Sequence, residues 1–324
     1  MSIIEQAARR LEELQRAGID VPWAAAGFSQ TEVPALVDDR AVPTPIEATR
    51  PVQLAGDGPN TFGLTAPSLE ISQPDRPSYR GSHGHCVSID LDGLKTSGYL
   101  VPGQVRSALM DEFRGIKRSL LKSARSDGKT SGQRANLIMI TSSLPGEGKT
   151  FCAINLALSM AMEIDTSVLL VDADVVRPSV LTRLGVAGQF NGLLDVLSDP
   201  SIELDSTILC ANIDKLRILP AGRQRFDSTE LLASSAMEAV LERLARENPD
   251  QIVLFDAPPL LVTTESKVLA MRVGQVVVVV DQSQSKPQDV AKAFAILEDV
   301  PVVSSLLNKS RSPSETDRYG YYEA

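Results

Sequence analysis

The sequence predicts an α/β fold, a mostly parallel sheet with helices on both faces. Three observations predict it. From about Cys86 onward, short apolar runs of strand length alternate with helical stretches. Two of those runs end on carboxylates, SVLLVDAD at Asp172 and Asp174 and QIVLFDAPP at Asp256. An acid in that position sits at the C-terminal end of a parallel strand, the edge where open α/β sheets bind ligands. A third run, Leu137–Ile140, breaks into a turn with Pro145, Gly146 and Gly148, after which Lys149 and Thr150 open a helical stretch.

Taken along the chain, residues 1–18 read as an N-terminal amphipathic helix. Ser2 and Glu5 form a capping box, and Ile4, Ala7, Leu11 and Leu14 line one face. Residues 19–85, rich in Pro, Ala, Gly, Thr and Ser with little periodicity, read as a disordered linker. Residues 86–308 form the folded domain and 309–324 a flexible tail. Within the domain, helices are expected at 104–123, 149–163, 228–247, 263–272 and 287–299. Strands are expected at 136–141, 167–172, 216–219, 251–256, 275–280 and 302–307. In the first of these helices Leu109, Phe113, Ile116 and Leu120 recur at helical spacing as a core face, while Asp111, Arg114 and Lys117 form an i, i+3 ridge elsewhere.

Strand, glycine turn, Lys-Thr and helix is the build of a phosphate-binding loop, which makes the domain P-loop NTPase-like. Glycines let successive backbone N–H groups converge on phosphate oxygens, and the helix N-terminus adds positive potential. Lys149 is expected to reach the outer phosphates of ATP and Thr150 the magnesium ion. The usual first glycine of the pattern is Ser143 here. Pro145, Gly146, Glu147, Gly148, Lys149, Thr150 and Phe151 are therefore the candidate nucleotide-binding residues. Aspartates from two neighbouring strands beside such a loop make an oxygen-rich Mg2+ site, so Thr150, Asp172 and Asp256 are the candidate metal ligands.

Composition agrees with a folded domain of this kind. Hydrophobic residues make up 43% of the 324, enough for a substantial core. The net charge of −9 argues against a general nucleic-acid binder. Cys86, Cys152 and Cys210 show no paired or metal-type spacing, which fits a reducing cytoplasm. No apolar run approaches the roughly 18 residues of a membrane span, and the N-terminus lacks a signal-peptide core. The expected location is cytoplasmic, with membrane attachment only through a partner. His83, His85 and Cys86 cluster in GSHGHC, but no fourth ligand is visible and a metal site is not expected there.

The loop SSLPGEGKT, the strands VLLVDADVVRP and IVLFDAPP, and the tyrosine-rich end YGYYEA together resemble a bacterial tyrosine autokinase, over roughly residues 104–324. The opening MSIIEQAARRLEEL and the segment EFRGIKRSLL resemble the free-standing type found in exopolysaccharide and PEP-CTERM (exosortase) loci. The resemblance implies ATP- and Mg2+-dependent phosphorylation of Tyr319, Tyr321 and Tyr322 in the protein's own tail. It implies a role in exopolysaccharide synthesis or export, with a membrane chain-length regulator as partner. Lys149, Asp172, Asp174 and Asp256 are the expected catalytic group. Asp172 is the first candidate to orient or deprotonate a tyrosine hydroxyl, and Asp174 is either a second helper or a cap for the following turn. Arg177 matches one of two family arginines, and Val176 stands in place of the other. Asn308, at the end of the last strand, either contacts adenine or forms a turn. Asp111, Arg114 and Lys117 align with a Glu-x-x-Arg-x-x-Arg pattern used for ring-like self-association, which suits phosphorylation between subunits; a solvated helix face is the alternative. A Min/Par-type ATPase switch would carry a signature lysine where Leu144 stands.

Overall fold

The structure is a computed structural model, and it describes residues 85–125, 134–248 and 250–310. The expected helix at 1–18, the linker up to residue 84, His83, and Tyr319, Tyr321 and Tyr322 lie outside the described residues.

The strands are β1 (Cys86–Val87), β2 (Leu137–Ser142), β3 (Ser167–Asp172), β4 (Leu209–Ala211), β5 (Leu216–Leu219), β6 (Gln251–Asp256), β7 (Gln275–Asp281) and β8 (Val302–Asn308). They form one sheet in the order β1-β4-β5-β3-β6-β2-β7-β8. Every pairing is parallel except β4 with β5. Central strands are Val-, Ile- and Leu-rich because both of their faces are covered. Alternate residues enter two separate cores. Ile138, Ile140, Val168, Leu170 and Leu254 pack under α2 (Ala108–Arg125) and α3 (Lys149–Ala161). Leu137, Met139, Leu169, Val171 and Phe255 pack under α8 (Ser235–Arg246), α9 (Thr264–Ala270) and α10 (Pro287–Ile296).

Helix boundaries differ from expectation where a serine intervenes. The stretch 228–247 is two helices, α7 (Ser228–Ala233) and α8. Ser234 leaves the helical region at ψ 167° and its hydroxyl accepts the Met237 N–H, capping the second helix. Helix α2 begins at Ala108, not 104, with Ser107 Oγ accepting the Met110 N–H. Sequence periodicity missed α1 (Leu91–Thr96), α4 (Val180–Arg183), α5 (Leu193–Ser198), α6 (Leu204–Thr207), β1 and β4, all too short to show a period.

The expected ridge on α2 needs correction. Lys117 is only 8% exposed. Its ammonium donates to the Ser159 carbonyl at 2.8 Å and pairs with Glu163 at 2.6 Å, both at the C-terminal end of α3. Steps of three residues drift about 60° each around an α-helix, so a ridge that is half-buried at Asp111 and exposed at Arg114 has turned into the packed face by Lys117. Arg114 does lie outward, and Asp111 is half-buried beside it. Asp111 pairs with Arg106 at 2.8 Å and with Arg114 at 2.9 Å, and the Arg106 hydrogen bond chiefly holds its carboxyl below the usual range.

Candidate active site

The site is assembled where β2, β3 and β6 end. The phosphate loop leaves β2 at Ser142, and only two of its residues, Gly146 (φ 88°) and Gly148 (φ 99°), take the left-handed conformation. Ser143 does not, which explains why the loop accommodates a serine there; the residue is fully buried. At Gly148 a side chain is excluded twice over, by φ and because a Cβ would meet Asn308 Nδ2 at 2.1 Å. The loop is clamped from below. Glu147 is buried, accepts the Leu144 N–H at 2.8 Å, and takes a short hydrogen bond from the Ser285 hydroxyl. Asn308 donates to the Glu147 carbonyl at 2.9 Å, and Lys309 donates to the Gly146 carbonyl at 2.9 Å while pairing with Asp281 at 2.7 Å. Lys309 and a Ser283 hydroxyl hold the Asp281 carboxyl down to about 2.

Beyond the loop, register sets the acids. Asp172 and Asp256 are direct partners across β3 and β6, and both are buried. Burial pushes Asp172 up to about 7, with the neighbouring Asp256 adding to it and the N–H groups of Val180 and Ser179 opposing. Burial likewise pushes Asp256 up to about 6, against the nearby Lys149 charge. Lys149 Nζ lies 2.6 Å from Asp174 Oδ2 and 3.7 Å from Asp256 Oδ1. Asp174 Oδ1 accepts the Arg177 N–H at 3.0 Å, so this residue both caps the turn and faces the lysine. Asp172 Oδ2 accepts the N–H groups of Ser179 and Val180, each at 3.0 Å, anchoring the start of α4.

These groups surround a cleft of about 800 Å³. Pro145, Gly146, Gly148, Lys149, Thr150 and Phe151 form one wall. Asp174, Val176, Arg177 and Arg183 form a second, and Pro258, Pro259, Val262 and Thr263 a third, with Asn308 and Lys309 closing the end. The Glu147 side chain and the buried Asp172 and Asp256 sit behind this lining. Phe151 also packs on Tyr99, ring centroids 4.9 Å apart, and Arg183 donates to the Tyr99 hydroxyl at 3.3 Å. Sequence reasoning did not single out Arg183, Lys309 or the 258–263 turn. The quoted IVLFDAPP contained the start of the last as a visible signal: Pro258 and Pro259 lie just past the strand end at Asp256, and the Pro258 carbonyl accepts Thr141 and Ser266 hydroxyls at 2.7 and 2.5 Å.

Whether the residues suit a nucleotide and a divalent cation can be judged from the unmet polar atoms. Asp172 Oδ1 and both Asp256 carboxylate oxygens are buried without a hydrogen-bond partner among the described residues. Buried oxygens of this kind are costly unless a cation or a proton satisfies them. They lie beside Thr150 and a loop whose lysine is ion-paired only to acids, a donor set of hard oxygens suited to Mg2+.

Comparison with known proteins decides the family. Residues 135–308, more than half of the chain, match the family model described as an AAA domain. Tyrosine-protein kinase YwqD of Bacillus subtilis is 31% identical over 188 residues, covering 57% of this chain and 76% of that protein. The chain belongs to the bacterial tyrosine autokinases. The succinoglycan biosynthesis transport protein ExoP of Rhizobium meliloti is 30% identical over 67% of this chain, which corresponds to 27% of that longer protein. Among solved structures, the VpsO kinase domain shares 27% identity with a TM-score of 0.53, covering 62% of this chain and 96% of that one. Among the described residues, no helix of this autokinase is long and apolar enough to cross a membrane.

Proposed function

We propose that the chain is an ATP-dependent protein-tyrosine kinase that phosphorylates Tyr319, Tyr321 and Tyr322 of its own tail. The observation that carries this reading is the cleft itself, where a glycine loop, Lys149, Thr150 and Asp174 converge in front of two under-satisfied carboxylates. Phosphoryl transfer needs positioning and charge neutralisation more than covalent catalysis. Loop N–H groups and Lys149 would bind the phosphates of ATP. Mg2+ held by Thr150, Asp172 and Asp256 would offset the charge of the transferring group. Phosphates entering the loop compete with Asp174 for Lys149, leaving the Asp174 carboxylate at the cleft wall to receive the tyrosine hydroxyl. Asp174 therefore takes the contact that the sequence favoured for Asp172. Asp172 is 2% exposed and bonded to the backbone of α4, which supports an anchoring and metal-holding part for it. Asn308 and Phe151 border the same cleft, as residues facing a nucleotide would.

The same reading extends to the cell. The name of the succinoglycan biosynthesis transport protein supports a part in exopolysaccharide synthesis or export; in this reading the kinase regulates that process from the cytoplasmic side, with a membrane chain-length regulator as partner. Transfer between chains in a ring-like homo-oligomer suits a tail as acceptor. Leu144 stands where a Min/Par-type switch would carry its lysine, which supports the kinase over a switch that transfers no phosphate to protein.

Incubating the purified chain with ATP and Mg2+ and mapping phosphate by mass spectrometry tests this directly. Label is expected on Tyr319, Tyr321 and Tyr322, and replacing all three with Phe should remove most of it while ATP binding persists. ATP hydrolysis without any phosphotyrosine would favour the switch instead.

A further inference from the structure

Cys86 and Cys210 are far apart in sequence and show no spacing that links them, yet the fold makes them neighbours. Strand β1 pairs in parallel with β4 in the register Cys86↔Cys210 and Val87↔Ala211. Register partners in adjacent strands lie about 4.8 Å apart and point to the same face. That separation falls inside the window of about 4.4–6.8 Å in which a disulfide closes without moving the backbone. Val87 and Ala211 pack against the core under α2 and α3, so both cysteines lie on the opposite face. Cys86 is exposed and Cys210 half-buried, and both are thiols. On its other side Cys210 is paired with Arg217 of β5, so the two sulfurs and a guanidinium form a row across three strands. The adjacent Cys86 thiol raises the pKa of Cys210, and the Arg217 charge works against that rise.

We propose that Cys86 and Cys210 are a reversible dithiol–disulfide pair, oxidised by a hydroperoxide, that fastens edge strand β1 to the sheet. The exposed Cys86 thiolate attacks the peroxide; the O–O bond breaks, the sulfur becomes a sulfenic acid, and an alcohol or water leaves. The Cys210 thiol then attacks that sulfur; the S–S bond forms, the S–O bond breaks, and water leaves with the thiol proton. A cellular dithiol reverses the reaction by exchange. In a reducing cytoplasm such a bond is transient, which suits a sensor better than a structural staple. Its target is a strand of two residues. Nearby ties are the Cys210 N–H bond to His85 at 3.1 Å and the reciprocal bonds between Ile89 and Asn212 at 2.8 and 3.1 Å. A short edge strand of this kind opens locally at low cost, and a covalent tie removes that opening.

The test uses the reduced full-length chain treated with hydrogen peroxide, alkylated, digested without reductant and read by mass spectrometry. A peptide pair joining Cys86 to Cys210 within one chain, lighter by two hydrogens and undone by dithiothreitol, is expected. Cys86→Ser or Cys210→Ser should each abolish it. Cys152→Ser should leave it unchanged, since Cys152 is buried with its thiol pushed up to about 12. Amide exchange at Val87 and Ile89 should slow on oxidation of the parent chain and not of Cys86→Ser. Separate oxidation of the two sulfurs, a link between chains, or no reaction overturns the proposal.

Discussion

Lys149 stands between two charged partners, and its substitution separates chemistry from folding. Its ammonium lies 2.6 Å from Asp174 and 3.7 Å from Asp256. Lys149→Met should cut tail phosphorylation by about 10²–10³-fold or more, the usual cost of losing a donor aimed at developing charge. The fold should survive, because Asp256 already tolerates burial by holding its proton up to about pH 6. Undiminished phosphotyrosine in a folded Lys149→Met chain would refute this site. The raised carboxyls make a second prediction. Asp172 at about 7 and Asp256 at about 6 both lie above the ordinary 3.8. The native state thus holds protons that the unfolded chain has released, and stability falls as pH rises through that window. A divalent cation bound to the ionised pair would cancel the loss. Mg2+ should raise the melting temperature more at about pH 8 than at about pH 5.5, where protons compete for the same oxygens. An equal shift at both would show that the cation is held elsewhere.

Helix α2 shows how a charged residue can be structural. Lys117 bonds the Ser159 carbonyl and Glu163, near the negative end of the α3 dipole. Lys117→Ala should cost about 1–3 kcal/mol by leaving that carbonyl unmet. The loss should appear in thermal or denaturant unfolding. Sedimentation at matched folded fraction should not change, because the side chain is not at the surface. An unaltered stability together with a change in assembly would restore Lys117 to a contact surface. Arg114, 47% exposed at its side chain, is the residue of the expected ridge that remains open to a neighbouring subunit.

At the scale of the whole molecule, the acceptor tyrosines and the cleft can be separated genetically. Mixing an inactive Lys149→Met chain with an active chain lacking residues 318–324 should place phosphate on the inactive one, which shows transfer between subunits. Each phosphate adds about 1.5–2 negative charges, on a chain already at −9. Several such tails crowded around one assembly should favour dissociation, an effect that salt weakens. Failure of the mixture to label, or identical sedimentation before and after phosphorylation, would count against a ring regulated by its tails.

What the sequence determined by itself is what local pattern encodes. Strands β3, β5 and β6 begin and end where their apolar runs do, at 167–172, 216–219 and 251–256. The loop from Ser143 to Thr150 is legible because glycine spacing, lysine and helix start are all contiguous. Family membership followed from the same stretches. Tertiary structure alone decided what depends on residues distant in sequence. Register set Asp172 beside Asp256, and Asp174 rather than Asp172 against the cleft. Packing against α3 turned Lys117 inward. Lys309, one residue past the last strand, reaches back to the Gly146 carbonyl. Cys86 meets Cys210 through strands of two and three residues. Elements that short carry no period, and pairing between them arises only once the larger strands have fixed the sheet on which they sit.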